Sequence, residues 1–474
     1  MTQGDTTMAD PPRRGAPLPT VWAFGTMGAP MAAMLVVTNV YLPRYYAGLG
    51  LGLVAIGAAV TLVRLFDLAL DPLVSLAMDR TRTPLGRYRP WLIGGAPLVM
   101  LALHMLLEPQ GEPTTAYLGL WLVVAFAGYS MITLGMAAWA AVLATSYADR
   151  ARVYGWLGGL SAVGQAGILL LPPLVTHGQV QLGKPESMAT IGWILVGTIP
   201  ITLAICTVFT PERIAAQAQR PRFSFRDISA AVSRPEMLRV IAADFMTALG
   251  PGASAPLYLF FFHIAKGFDQ AQINLLLTFT IGSSMLGAPA WGRIAQRLNK
   301  HRTVQLACVC YIVCHTAVVF MPRGLFPASV VAMSAVGFCS AAFVPLVRAM
   351  VADINDEVRL ERGQNLTSLM FSMVTTTQKI GSTITVLIVF PILAWVGFNG
   401  KEGAVNTDHA ILGLQACYLL FPVTGVFVGG LIFIGYKLSP ERHAAVRAAL
   451  DARDAAEAAA EAPAAAALQS PAAG

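Results

Sequence analysis

The sequence predicts an all-α, polytopic membrane protein of about twelve transmembrane helices, divided into two halves of six. Three observations carry this. Hydrophobic residues fill 56% of the 474 positions and charged residues only 12%, whereas soluble domains carry charge at about a quarter of their positions. Apolar runs of about 20 residues, the length a helix needs to cross the hydrocarbon, recur along the chain. Lys and Arg gather in alternate gaps between those runs, the distribution that orients membrane proteins.

In order, the expected spans are residues 20–46, 51–78, 91–107, 116–146, 154–176 and 188–210, then 238–264, 270–292, 303–321, 326–352, 365–397 and 410–436. The organisation is therefore a short cytoplasmic segment (1–18), an N-terminal bundle (19–210), a cytoplasmic linker (211–237), a C-terminal bundle (238–437) and an Ala-rich cytoplasmic tail (438–474). Arg13 and Arg14 flank an uncleaved first span and are not an export signal, because many further spans follow. Arg80, Arg82, Arg87 and Arg89 follow span 2, Arg150 and Arg152 follow span 4, and Arg293, Arg297, Lys300 and Arg302 follow span 8. The gaps after spans 3 and 5 are nearly bare, so both termini are placed in the cytoplasm of a bacterial-type inner membrane. In the linker, Ser224 and Asp227 have capping-box spacing, and Phe223, Phe225 and Ile228 suggest a short helix at the membrane surface. The tail has too few large apolar residues to build a core and reads as a frayed helix or disorder. The loop DRTRTPLGRYRPW after span 2 has a fainter counterpart, GRIAQRLNKHRT, after span 8, which points to two pseudo-symmetric bundles.

The formal net charge of +7 does not indicate nucleic acid, because no basic stripe interleaved with aromatics accompanies it. The expected partners are the bilayer and a small-molecule solute, with the protein a monomer. The six cysteines lie in apolar segments and imply no disulfide framework. CVCYIVCH, ending at His315, superficially offers metal ligands, yet small buried hydrophobes are the simpler reading; no metal is expected.

The stretch RLFDLALDP, Arg64 to Pro72, interrupts an apolar span with three charges. On a helix Asp67 and Asp71 are four apart and Arg64 precedes Asp67 by three, so all project from one stripe. Charges inside a span ordinarily face a cavity and mark an ion or proton path. The alternative is a static ion-pair ladder tying span 2 to a neighbour.

RLFDLALDPLVSLAMDRTRTPLGRYRPWL resembles the signature of the glycoside/pentoside/hexuronide:cation symporter family of the major facilitator superfamily, and MVADINDEVRLERGQNLTSLMFSMVTTTQKIGS resembles that family's segment through spans 10 and 11. The resemblance implies the major facilitator fold and cation-coupled transport of a sugar-like solute. It assigns Asp67 and Asp71 to the coupling site, with Lys379 close by, offsetting the carboxylates when no cation is bound; Arg64, on the same stripe by its spacing, is their charge partner. It places Trp139 at the solute, with Thr375 and Gln378 of span 11 as further cavity residues. It makes Asp79, Arg80, Gly86, Arg87 and Arg89 a cytoplasmic gate. Arg348, about one turn before Asp353 on span 10, is not required by the family pattern and reads either as part of that gate with Asp353 or as a further solute contact.

Departures from the pattern weigh on the solute. Ala32 and Gly135 stand where sugar-binding members carry carboxylates, an arginine is lost near Leu160, and an aromatic is replaced near Val344, which favours a roomier, less polar cavity. A glycoside bound by altered contacts and an amphiphilic, lysophospholipid-type solute both remain open. Asp244, Gln165 and His315 are extra polar groups inside spans, and YLFFFH (Tyr258 to His263) reads as a lipid-facing aromatic run. DLALD and DIND loosely match the paired aspartates of intramembrane prenyltransferases, but only the first lies within a span; an enzyme is not expected. A sensor that binds without transporting is the third class. The coupling ion is expected to be a proton rather than sodium: the asparagine and span-4 hydroxyl of sodium-using members fall on Leu70 and Ile132, with Thr133 one residue away. No cofactor beyond that ion is expected.

Overall fold

Helix-forming apolar segments dominate, and each must satisfy its own backbone polar groups where water is absent. The computed structural model accordingly is all helical, describing residues 17–143, 147–175, 185–212, 234–362, 366–401, 403–436, 442 and 444–453. Among these, twelve helical stretches are long and apolar enough to cross a membrane: Leu18–Gly48, Leu53–Met78, Arg89–Leu107, Thr115–Ala140, Arg152–Leu170 and Glu186–Phe209, then Pro235–Ala265, Gln270–Leu298, Lys300–Phe320, Phe326–Glu361, Leu369–Trp395 and Asp408–Ile432. These are spans 1 to 12. The chain divides into two compact units, residues 1–218 and 219–474.

Each unit repeats one packing scheme. In the first, span 1 packs on spans 5 and 6, span 4 on spans 2 and 3, and span 3 on span 6. In the second, span 7 packs on spans 11 and 12, span 10 on spans 8 and 9, and span 9 on span 12. The leading span of each unit is also irregular in the same way. Span 1 breaks near Thr26 and passes through a π-helical turn at Val37–Tyr41, and span 7 breaks at Ala253 before a π-helical turn at Phe261–Ala265. The internal repeat expected from the two arginine-bearing loops is thus present in the packing.

Close helix contacts are made by small residues, as expected where apolar side chains gain little by leaving lipid. A Cβ on Gly128 would fall 2.7 Å from the carbonyl oxygen of Gly95 on span 3. One on Gly250 of span 7 would fall 2.9 Å from that of Pro422 on span 12.

Several expectations are corrected. Span 10 does not stop at residue 352 but continues as helix through Arg362, because its charges find partners within the second unit. Spans 8 and 9 are joined through Asn299 alone, at φ 75°, so the second arginine-bearing connection is far tighter than the first. The aromatic run at Tyr258 to Phe262 faces inward: Phe261 stacks on Tyr418 with centroids 4.0 Å apart, and Phe262 stacks on Phe268 at 6.0 Å. The part of the tail at 444–453 is a packed helix. Leu450 is 1% exposed, Arg447 pairs with Asp356 at 3.6 Å, and Arg453 donates to the carbonyl of Arg359 at 3.1 Å. The expected linker helix lies outside the described residues.

Candidate cation site and gate

Span 2 is one uninterrupted helix from Leu53 to Arg80, so Arg64, Asp67 and Asp71 share a face as their spacing requires. Asp67 is 2% exposed, and its Oδ1 accepts a hydrogen bond of 2.6 Å from the Ser130 hydroxyl on span 4. Arg64 donates from Nη2 to Asn39 Oδ1 on span 1 at 2.7 Å and lies 4.3 Å over the Phe126 ring. Asp67 and Tyr129 are the groups whose charge acts on Arg64, and Tyr129 in turn feels both aspartates. Pro72 follows Asp71 and has no N–H for the carbonyl of Leu68 one turn back, which places a backbone oxygen acceptor on the same stripe. Spans 1, 2 and 4 therefore converge on one polar cluster of two carboxylates, a guanidinium, an amide, a hydroxyl and a phenol. A cluster of this kind can hold or exchange a small cation, because added positive charge offsets its carboxylates.

Thr133 does not join the cluster; its hydroxyl donates to its own helix at the Tyr129 carbonyl, 2.9 Å away. Ile132 is buried. The span-4 hydroxyl is supplied by Ser130 instead, two residues from the aligned position. Lys379 belongs to the second unit, half-buried on span 11, where its carbonyl accepts from Thr383 at 2.7 Å and Ser382 at 3.0 Å.

Of the expected cavity residues, Trp139 is 0% exposed, packed edge-on against Phe24 at 5.7 Å with the Arg89 guanidinium 5.6 Å over its ring. Its indole presents no surface to a solute in this conformation. Gly135 is turned toward span 3, where a Cβ would lie 2.6 Å from Leu92 Cδ1; its smallness serves helix contact rather than cavity volume. Ala32, Gln165, Val344 and Gln378 are half-buried and Thr375 is exposed. His315 is enclosed: its Nε2 meets the Tyr418 carbonyl at 2.8 Å, and its ring is stacked with Tyr311 and Tyr418. Asp244 is buried on span 7, and the charge that acts on it is Arg348.

The loop after span 2 is organised by a residue that sequence reasoning missed. Glu212, just past span 6, accepts from the backbone N–H groups of Arg87 at 2.5 Å, Tyr88 at 2.8 Å and Arg89 at 3.3 Å. These amides form the N-terminus of span 3, where a carboxylate also meets the positive end of the helix dipole. Gly86 at φ +111° makes the approach possible, since a Cβ there would fall within 2.1 Å of Glu212 Oε2. Arg89 donates to the Thr210 carbonyl at 2.8 Å and Arg87 Nε to that of Met78 at 3.3 Å. Arg80 is exposed, and the side chain of Asp79 lies outside the described residues. In the second unit Asp353 pairs with Lys300 at 2.6 Å. Arg234 pairs with Glu361 and with Glu357 at 3.8 Å, and Arg442 Nε reaches Glu357 at 2.6 Å. The PER triplet after span 6 was the available signal for Glu212. Ser130 and Asn39 carried none, because isolated small polar residues in spans are common.

Residues 23–440 match the family described as MFS/sugar transport protein. The chain belongs to that family. The putative glycoside/cation symporter YagG of Escherichia coli K12 is 24% identical over 411 residues, covering 84% of this chain and 86% of the relative. The sodium-dependent lysophosphatidylcholine symporter 1 of Homo sapiens is also 24% identical, over 426 residues, covering 82% and 77%. A bacterial homolog of the human lysosomal transporter Spinster superposes with a TM-score of 0.66 at 11% identity, covering 89% of this chain and 98% of that one. The nucleoside transporter NupG gives 0.63 at 13%, covering 89% and 99%. The glycoside-cation resemblance read from the two motifs is thus borne out by the family match and the sequence relatives, and the structural neighbours bear out the major facilitator fold. This member of the MFS/sugar transport family is an integral membrane transporter of small solutes, and its relatives are transporters rather than enzymes.

Proposed function

We propose that the chain is a proton-coupled symporter of a small organic solute working by alternating access, with both termini cytoplasmic. The observation that supports this best is the buried Asp67 in mid-span, held by Ser130 and neighboured by Arg64. A carboxylate in such a place has a function only if its charge can be matched, and a proton does so without further ligands. Sodium needs several oxygens in a defined cage. Here Leu70 stands where sodium-using members place an asparagine, and Thr133 is spent on its own helix. Asp71 completes the coupling set on span 2; Arg87, Arg89 and Glu212 hold the cytoplasmic gate.

For the solute, a glycoside-like molecule follows the relatives described as glycoside, lactose and glucuronide carriers. The lysophosphatidylcholine symporter relative, with Ala32 in place of a carboxylate, favours an amphiphile as the second reading. Counterflow in proteoliposomes with labelled lactose, a glucuronide and lysophosphatidylcholine tests this. Exchange of one of them is expected, and exchange of none would refute both readings.

A further inference from the structure

Arg64 lies one turn before Asp67 and two before Asp71 on the same face of span 2. An arginine so placed would close its fork on a carboxylate if nothing competed for it, and that carboxylate would then have its charge matched without a proton. Span 1 competes. Asn39 Oδ1 accepts from Arg64 Nη2 at 2.7 Å, and the guanidinium carbon lies 4.3 Å over the Phe126 ring of span 4. The cation is thereby tied to a neutral acceptor and an aromatic face, while Asp67 takes a hydrogen bond of 2.6 Å from Ser130.

The sequence around Asn39 accounts for its unusual setting. Pro43 has no N–H for the carbonyl of Asn39 four residues back, and its ring crowds that carbonyl. The helix widens in response: the Leu42 N–H bonds to the Val37 carbonyl, five residues back, closing the π-helical turn Val37–Tyr41 with Asn39 at its centre. Single turns of this kind inside α-helices are rare and concentrate at functional sites. The surroundings supply no competing charge of comparable reach. Span 2 packs on span 4 and on the end of span 1; span 4 carries no charged residue and span 1 only Arg44. Of the phenols on those two spans, Tyr45, Tyr46 and Tyr117 donate to carbonyls at the end of span 3. The others are Tyr129, whose charge acts on Arg64, and Tyr41 in the π-helical turn itself.

We propose that Asn39 is a positioning residue of the coupling site: it holds the Arg64 guanidinium beside the span-2 carboxylates and not on them, and so sets how readily they take up a proton. This role rests on Asp67 and Asp71 being the coupling carboxylates. Without the amide, Arg64 turns to the carboxylates and competes with the proton. With a carboxylate at position 39 the guanidinium is held more firmly and its charge is offset, so the proton is taken up more readily.

Proton occupancy can be read without a solute. Dicyclohexylcarbodiimide, which dissolves in the bilayer and modifies protonated carboxyl groups, is applied to the full chain in lipid nanodiscs over a pH series, and labelling of Asp67 and Asp71 is followed by peptide mapping. Relative to the parent, the labelling midpoint should fall by about one pH unit in Asn39→Leu and rise by a similar amount in Asn39→Asp, the tenfold change expected for one charged hydrogen bond. Asn39→Ala carries the same expectation as Asn39→Leu should the larger side chain prevent folding. In an Arg64→Gln background, Asn39→Leu should cause no further shift. A purely structural asparagine would give shifts of the same sign in Asn39→Leu and Asn39→Asp, or none. That result, labelling in the parent that does not vary with pH, or a shift that persists without Arg64 would overturn the role. A parent that labels as expected yet fails to accumulate solute under a pH gradient would instead refute the coupling reading and leave the placement of Arg64 by Asn39 standing.

Discussion

Replacing Glu212 with alanine removes three acceptor contacts from the start of span 3: those to Arg87, Tyr88 and Arg89, at 2.5, 2.8 and 3.3 Å. A hydrogen bond to a charged acceptor contributes about 1.5–3 kcal/mol, and these three share one carboxylate, so their effects do not add. The released amides regain water, which sets the net loss near 2–3 kcal/mol. That corresponds to about 30- to 150-fold faster opening of the loop. Hydrogen exchange of peptides covering 84–92 reads this directly. Gly86→Ala should produce a comparable loss in the parent, because its Cβ falls 2.1 Å from Glu212 Oε2 and its φ is +111°. In the Glu212→Ala background it should cost less, leaving only the backbone strain. Unchanged exchange in Glu212→Ala, or strictly additive effects in the double variant, would refute the clasp.

Ser130→Ala removes the donor to Asp67 and should shift the coupling-ion concentration for half-maximal uptake by about tenfold, with Ser130→Thr close to the parent. Leu450→Ala, in the packed part of the tail, should raise hydrogen exchange across 444–453 and leave 17–143 unaffected. Lys266, just past span 7, donates to the carbonyls of Val319 at 2.7 Å and Met321 at 2.6 Å, and burial beside Arg323 pushes its ammonium down from 10.5 to about 8. Its folded pKa is lower than its unfolded one, so the unfolded chain holds more protons between those values. Thermal stability should therefore rise from pH 8 toward 10.5 at this group's expense, and Lys266→Met should flatten that rise.

The spans were legible because hydrocarbon imposes a length and a composition on every crossing helix. So was the Arg64, Asp67 and Asp71 stripe, since helical geometry alone fixes which residues share a face. What lay beyond reach depended on partners distant in sequence. Ser130 is 63 residues from Asp67, and Glu212 is 125 from Arg87. Gly135 reads as vacant volume in an alignment and is a helix contact in space. The aromatic run at Tyr258 to Phe262 was assigned to lipid by composition, yet it is buried within the second unit, where Phe261 stacks on Tyr418. Span 10 appeared to end where its charges began, although Lys300, Arg442 and Arg447 neutralise them.

The central claim is that protonation of the span-2 carboxylates links two gradients, and solute uptake into proteoliposomes under a pH gradient alone, at symmetrical sodium, tests it most directly. The parent protein should accumulate the solute found by counterflow, while Asp67→Asn and Asp71→Asn fail to accumulate it yet retain exchange. Accumulation driven by sodium at symmetrical pH with no response to the pH gradient, or undiminished accumulation by both variants, would contradict it.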